Sequence, residues 1–101
     1  MFKMIIVEDE KLEREGLVGF LDWRSFEIQI AGIACDGIEG LELARKVEPD
    51  IIITDIKMPG IDGIAMSKEI KRFLPETKII ILSGYDDFKL VGILHSKKTF
   101  T

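Results

Sequence analysis

Ile51-Ile52-Ile53-Thr54-Asp55-Ile56-Lys57-Met58-Pro59-Gly60 is the stretch that decides the fold. It begins as an unbroken apolar run of strand length, meets a carboxylate at Asp55 and passes into a Pro-Gly turn. An apolar run without polar alternation marks a strand covered on both faces, as in a parallel sheet flanked by helices. Ending that strand in an ionised group does not serve stability, because a charge at the rim of a buried sheet is costly unless something neutralises it.

The same pattern recurs on either side. Met4 to Val7 is a second apolar run and stops at Glu8-Asp9. Lys78 to Ser83 is a third, centred on Ile79-Ile80-Ile81-Leu82, and Ile28 to Ala34 is a further β-rich segment. Helical spacing fills the gaps. Lys11 to Leu21 carries Leu17, Phe20 and Leu21 at i, i+3, i+4. Ile38 to Val47 follows a cap at Asp36-Gly37 and turns Leu41 and Ala44 inward. Ile64 to Leu74 carries Met66, Ile70, Phe73 and Leu74 and is stopped by Pro75. Asp22 to Phe26 and Lys57 to Gly63 read as loops. The order βαβαβαβ predicts an α/β fold, a doubly wound parallel sheet. Gly84 to Thr101 fits neither period. Asp86-Asp87 can cap a helix starting near Phe88, and Ser96 to Thr101 reads as a frayed polar end.

Composition narrows the function. The chain has 101 residues, enough for one domain. Its net charge of -4 argues against direct nucleic-acid binding by this segment, which would need a basic face. Cys35 is the only cysteine, so no intrachain disulfide forms and a reducing compartment is expected. The first apolar run is too short for a signal peptide, and no stretch approaches a membrane span. A cytoplasmic protein is expected. His95 alone makes no multi-histidine metal site.

Sites in doubly wound sheets form beyond the carboxyl ends of the strands. Glu8, Asp9, Asp55 and Ser83 all lie at such ends. Two carboxylates about 4 Å apart repel by roughly 4 kcal/mol at an effective dielectric near 20. A divalent cation removes that penalty. Mg²⁺ suits Asp9 and Asp55, since it takes a few carboxylates and keeps waters, with Glu8 in the outer shell. Asp55 can also act as a nucleophile and form an acyl phosphate. Ser83 offers a hydroxyl to a phosphoryl group. Taken singly, each residue has a plainer reading: Glu8-Asp9 as a capping pair, Asp55 as a loop acid, Ser83 as a turn residue. Their common register favours the site.

Val7-Glu8-Asp9-Glu10, Thr54-Asp55-Ile56-Lys57-Met58-Pro59-Gly60, Asp62-Gly63 and Ser83-Gly84 occur in that order, and the ordered set resembles the receiver domain of bacterial two-component response regulators. Leu21-Asp22-Trp23, Phe26-Glu27-Ile28 and Ser83-Gly84-Tyr85-Asp86-Asp87-Phe88 resemble the group joined to arabinose-regulator-type helix-turn-helix DNA-binding domains. The resemblance covers residues 1–88 as the receiver core and leaves 89–101 as an atypical tail. It implies a flavodoxin-like sheet with strand order 2-1-3-4. It further implies phosphorylation of Asp55 by a sensor histidine kinase and Mg²⁺ held by Asp9, Asp55 and the backbone carbonyl of Lys57, with Glu8 in support. Ser83 would be the switch hydroxyl.

The family pattern continues through a fourth helix, a strand bearing a Lys-Pro pair and a fifth helix. No Lys-Pro pair occurs in this chain. Either the fifth strand is missing and the tail is irregular, or Leu90 to Leu94 forms a shortened last strand with Lys97 or Lys98 in the lysine role. Gly92 and the polar end make a poor central strand, which favours the first. Strand four would then be an open edge inviting a homodimer or a swapped oligomer. Two functions follow: a phosphoacceptor signalling domain, or a non-switching receiver that serves as a dimerisation or protein-binding module. An aspartate phosphatase is disfavoured, because the position two residues after Asp55 is Lys57 and not an acid. Trp23 and Phe26 are expected to pack locally, Met66 and Phe73 to be core, and Cys35 to be buried.

Overall fold

The computed structural model describes residues 1–82 and the backbone of residues 90–94. Four strands and three helices alternate: β1 (Phe2–Val7), α1 (Lys11–Phe20), β2 (Ile28–Ala34), α2 (Gly37–Val47), β3 (Ile51–Asp55), α3 (Gly63–Phe73) and β4 (Lys78–Leu82). A 3₁₀ turn, Trp23–Phe26, joins α1 to β2, and β5 (Leu90–Leu94) is the last of the described elements. The sheet order is β2-β1-β3-β4-β5, with the first four strands parallel. The flavodoxin-like order 2-1-3-4 is therefore present.

Side chains alternate across the strands and divide the core into two layers. Ile5 and Val7 join Ile52, Ile79 and Ile81 under α2 and α3, sealed by Ala44, Met66 and Ile70. Met4, Ile6 and Ile53 face the other way, toward Leu17 and Trp23. Two caps fix the helices of the first layer. Asp36 accepts from the Glu39 amide at 2.8 Å while the Glu39 carboxylate accepts from the amide of Cys35, the residue before the cap, and Asp62 accepts from the Ala65 amide at 2.7 Å. Phe73 is half-buried, with the Arg45 guanidinium 4.1 Å above its ring.

Three expectations are corrected. The edge of β4 is not open: β5 pairs with it in antiparallel sense, with a register shift between Ile81 and Leu82. Gly92 lies opposite Ile81, beside that irregularity. A glycine that weakens a central strand is tolerated at an edge with a bulge, and pairing satisfies the β4 backbone. Second, α1 contains no buried residue, and Phe20 is 70% exposed. Of the expected inward stripe, Leu17 alone joins the core cluster. Third, Cys35 is exposed, because β2 ends at Ala34 and the chain there turns out to the Asp36 cap. Ser83, the cap at Asp86-Asp87, the helix near Phe88, His95, Lys97, Lys98 and the frayed end at Ser96 to Thr101 lie outside the described residues. Among the described residues no helix is long and apolar enough to cross a membrane.

The least buried of the three α-helices is α1, with Gly16 and Gly19 in ten residues. A Cβ at either meets nothing within 4 Å. Gly16→Ala and Gly19→Ala are each expected to stabilise the fold by about 0.5–1 kcal/mol, read as higher urea midpoints. Unchanged or lower midpoints in both variants would contradict this account of α1.

Candidate functional site

Val7 pairs with Thr54 in the β1–β3 register, and both are fully buried. One residue further along each parallel strand stand Glu8 and Asp55. The pairing thus delivers the two strand ends to the same edge, and one carboxylate oxygen from each of Glu8, Asp9 and Asp55 lies within 4.8 Å of the others.

Each acid is held differently. The Glu8 amide continues the ladder by donating to Ala34 O at 3.0 Å, and its Oε2 accepts from the Glu10 amide at 3.1 Å. Glu8 is 2% exposed. Burial pushes its carboxyl up to about 7, against the lowering effect of the Glu10 N–H, and the charges of Asp55, Glu13 and Asp9 push the same way as burial. Asp55 Oδ1 accepts from the Ile56 amide at 2.9 Å. Its carboxyl is also raised, by burial first and then by Asp9 and Glu10, with the Ile56 N–H and Lys57 opposing. No hydrogen bond among the described residues reaches the second Asp55 oxygen or the Asp9 carboxylate. Lys57, two residues after Asp55, has an exposed side chain.

The peptide of Asp55 is clamped. Its carbonyl accepts from the Thr54 hydroxyl at 2.9 Å. The α3 N-terminus closes on it: the Gly63 amide donates to Ile56 O at 2.7 Å, and a Cβ on Gly63 would lie 1.9 Å from Asp55 O. Asp62-Gly63 is legible as motif, but this contact is not. A second residue passed over is Arg14, whose Nη1 donates to Glu8 O at 3.0 Å and Asp9 O at 3.4 Å. Its signal is an arginine five residues after Asp9, one turn into α1.

Chemically this is an all-oxygen donor set with surplus negative charge. The ion pair found among the described residues, Arg72 with Glu69 at 3.7 Å, is elsewhere. A buried Glu8 beside two further acids fits a hard divalent cation, which would offset their repulsion. Asp55 has one oxygen fixed by the Ile56 N–H and one without a partner among the described residues, and a carboxylate oxygen so left can act as a nucleophile.

The family model of the response regulator receiver domain matches residues 4–96. A response regulatory protein of Staphylococcus epidermidis is 42% identical over 97 residues, 94% of this chain and 38% of the relative. The chain thus spans about two fifths of that curated relative's length. The receiver domain of AraT, a response regulator from Geobacillus stearothermophilus, is 37% identical with a TM-score of 0.80, covering 86% of this chain and 67% of that one. A two-component transcriptional regulator, AraC from Clostridium phytofermentans, is 36% identical with a TM-score of 0.78, covering 86% and 70%.

Two outcomes follow from the site's construction. Glu8 titrates near its ordinary 4.5 when unfolded and near 7 when folded. Between those values the folded state holds more protons, so this residue's contribution to stability falls as pH rises from about 4.5 to about 7. Glu8→Gln should therefore gain on the wild type in urea midpoint across that window, and a gap constant from pH 4 to pH 8 would contradict it. Gly63→Ala must displace the Asp55 carbonyl, which cannot yield as a side chain can. A loss of about 2–3 kcal/mol in urea unfolding is expected, and a loss under 0.5 kcal/mol would contradict the clamp.

Proposed function

The chain belongs to the response regulator receiver family, and on that premise we propose that it is a Mg²⁺-dependent phosphoacceptor modified on Asp55. The observation that carries this reading is the convergence of Glu8, Asp9 and Asp55 within 4.8 Å. In it Asp9, Asp55 and the Lys57 backbone carbonyl hold the metal, with Glu8 supporting from the outer shell. Mg²⁺, when bound, neutralises the phosphoryl oxygens.

The chain's own groups do the rest. The Ile56 N–H fixes Asp55 Oδ1, and the other oxygen attacks phosphorus. An Oδ2–P bond forms as the P–N bond of a kinase phosphohistidine breaks, and the imidazole leaves with the electron pair and takes up a proton. Ser83, outside the described residues, is proposed as the hydroxyl that bonds the phosphoryl group. No pairing lysine is assigned, because β5 runs antiparallel to β4 and takes the chain from Leu90, opposite Leu82, to Leu94, opposite Ile79, away from the acidic rim. Residues 1–88 form the receiver core in this reading, and the 89–101 tail supplies β5. The phosphodonor is a sensor histidine kinase in the cytoplasm, and the output is transcription through an attached DNA-binding domain of the arabinose-regulator type. Phosphorylation would be a single event on the protein, so the domain signals and does not turn over a substrate.

One observation favours a second reading. β5 runs antiparallel to β4, so the strand beyond β4 runs opposite to the other four. A receiver altered there can persist as a dimerisation or protein-binding module without switching. Incubation with Mg²⁺ and acetyl phosphate separates the two. Intact mass should show one added phosphoryl group on the wild type and none on Asp55→Asn. A wild type that stays unmodified, under conditions that label another receiver, leaves the second reading in place.

A further inference from the structure

Few contacts hold α1 to the sheet. None of its residues is buried, and its N-cap, Glu10, makes no side-chain capping bond. At its far end the Trp23 indole N–H donates to Leu17 O at 3.1 Å. At its near end the half-buried Arg14 reaches back to the exit of β1 and donates from Nη1 to the carbonyls of Glu8 and Asp9, at 3.0 and 3.4 Å. Those two peptides carry two of the clustered carboxylates. The guanidinium makes no ion pair with any described carboxylate. Its contacts are with the backbone that aims the acids, not with the acids.

We infer that Arg14 is a positioning residue for the acidic site. It fixes the Glu8 and Asp9 peptides so that the Asp9 carboxylate faces Asp55, and it ties the geometry of that pair to the seating of α1. This rests on the Mg²⁺ reading above. Two effects of opposite sign meet here. A positive charge beside the cluster weakens cation binding, whereas a fixed turn strengthens it by presenting oxygens already in place. Mg²⁺ demands near-ideal octahedral geometry at about 2.0–2.1 Å, so a turn free to rotate loses binding readily. A half-exposed charge is screened by solvent and counts for less.

The sign of the change in Mg²⁺ affinity therefore tests the role. Calorimetric titration of the full chain with MgCl₂ at pH 8 should show about tenfold weaker binding for Arg14→Ala, or about 1.4 kcal/mol. Arg14→Lys, which keeps a charged donor of similar reach, should recover part of it. Leu12→Ala, on the same helix and 81% exposed, should bind as the wild type does. Equal or tighter Mg²⁺ binding by Arg14→Ala overturns the positioning role, even if urea unfolding without Mg²⁺ shows the variant less stable. Arg14→Gln carries the same comparison if the alanine variant does not fold. Absence of Mg²⁺ uptake by the wild type overturns the metal reading itself, and the role of Arg14 with it.

Discussion

The parallel pairing of β1 with β3 is the constraint on which the rest depends. With Val7 fixed opposite Thr54, the next residues on both strands emerge at one rim and their charges cannot separate. The apolar runs drive this pairing. Met4, Ile5, Ile6 and Val7 are essentially inaccessible to water, and so is Ile52. Burial of such side chains contributes about 1.5–3 kcal/mol each. Repulsion among one buried and two half-buried acids is small beside that sum. The fold therefore holds the acids together against their own preference, and raised carboxyl values at Glu8 and Asp55 express the resulting tension.

The two sides of the sheet serve this rim differently. On one side α2 and α3 are capped, packed and close to the site, and Gly63 brings the α3 N-terminus onto the Asp55 peptide. That half makes Asp55 rigid. On the other side α1 is exposed, glycine-containing and held by Leu17, Trp23 and Arg14. That half presents Glu8 and Asp9 on a turn whose support comes largely from hydrogen bonds. A site assembled from one stiff and one softer element can take up an ion with little rearrangement of Asp55.

Much of this was legible in the residues. Unbroken runs such as Ile51 to Thr54 announce buried parallel strands, and their order with helices leaves few topologies. Carboxylates closing two such runs announce the site. Failures came where local pattern competes with tertiary context. Phe20 and Leu21 have helical spacing with Leu17, but spacing does not say whether an opposing surface exists, and these two are exposed. Leu90 to Leu94 carries no clear period, and β5 follows from the unmet backbone groups of β4, a long-range demand. The contacts of Arg14 and Gly63 with backbone oxygens leave no trace in hydropathy, because they depend on where a helix start meets a strand end.

In the proposed reading the ends of β1 and β3 share one divalent ion. Manganese substituted for magnesium and followed by amide NMR on the isotope-labelled chain tests it most directly, since a paramagnetic ion broadens the signals around its binding site. Amides at 8–10 and 54–58 are expected to broaden together, at the same low Mn²⁺ concentration and before any others. Broadening confined to one of these segments, or appearing first at the exposed acids Glu13 and Glu15 of α1, would contradict it.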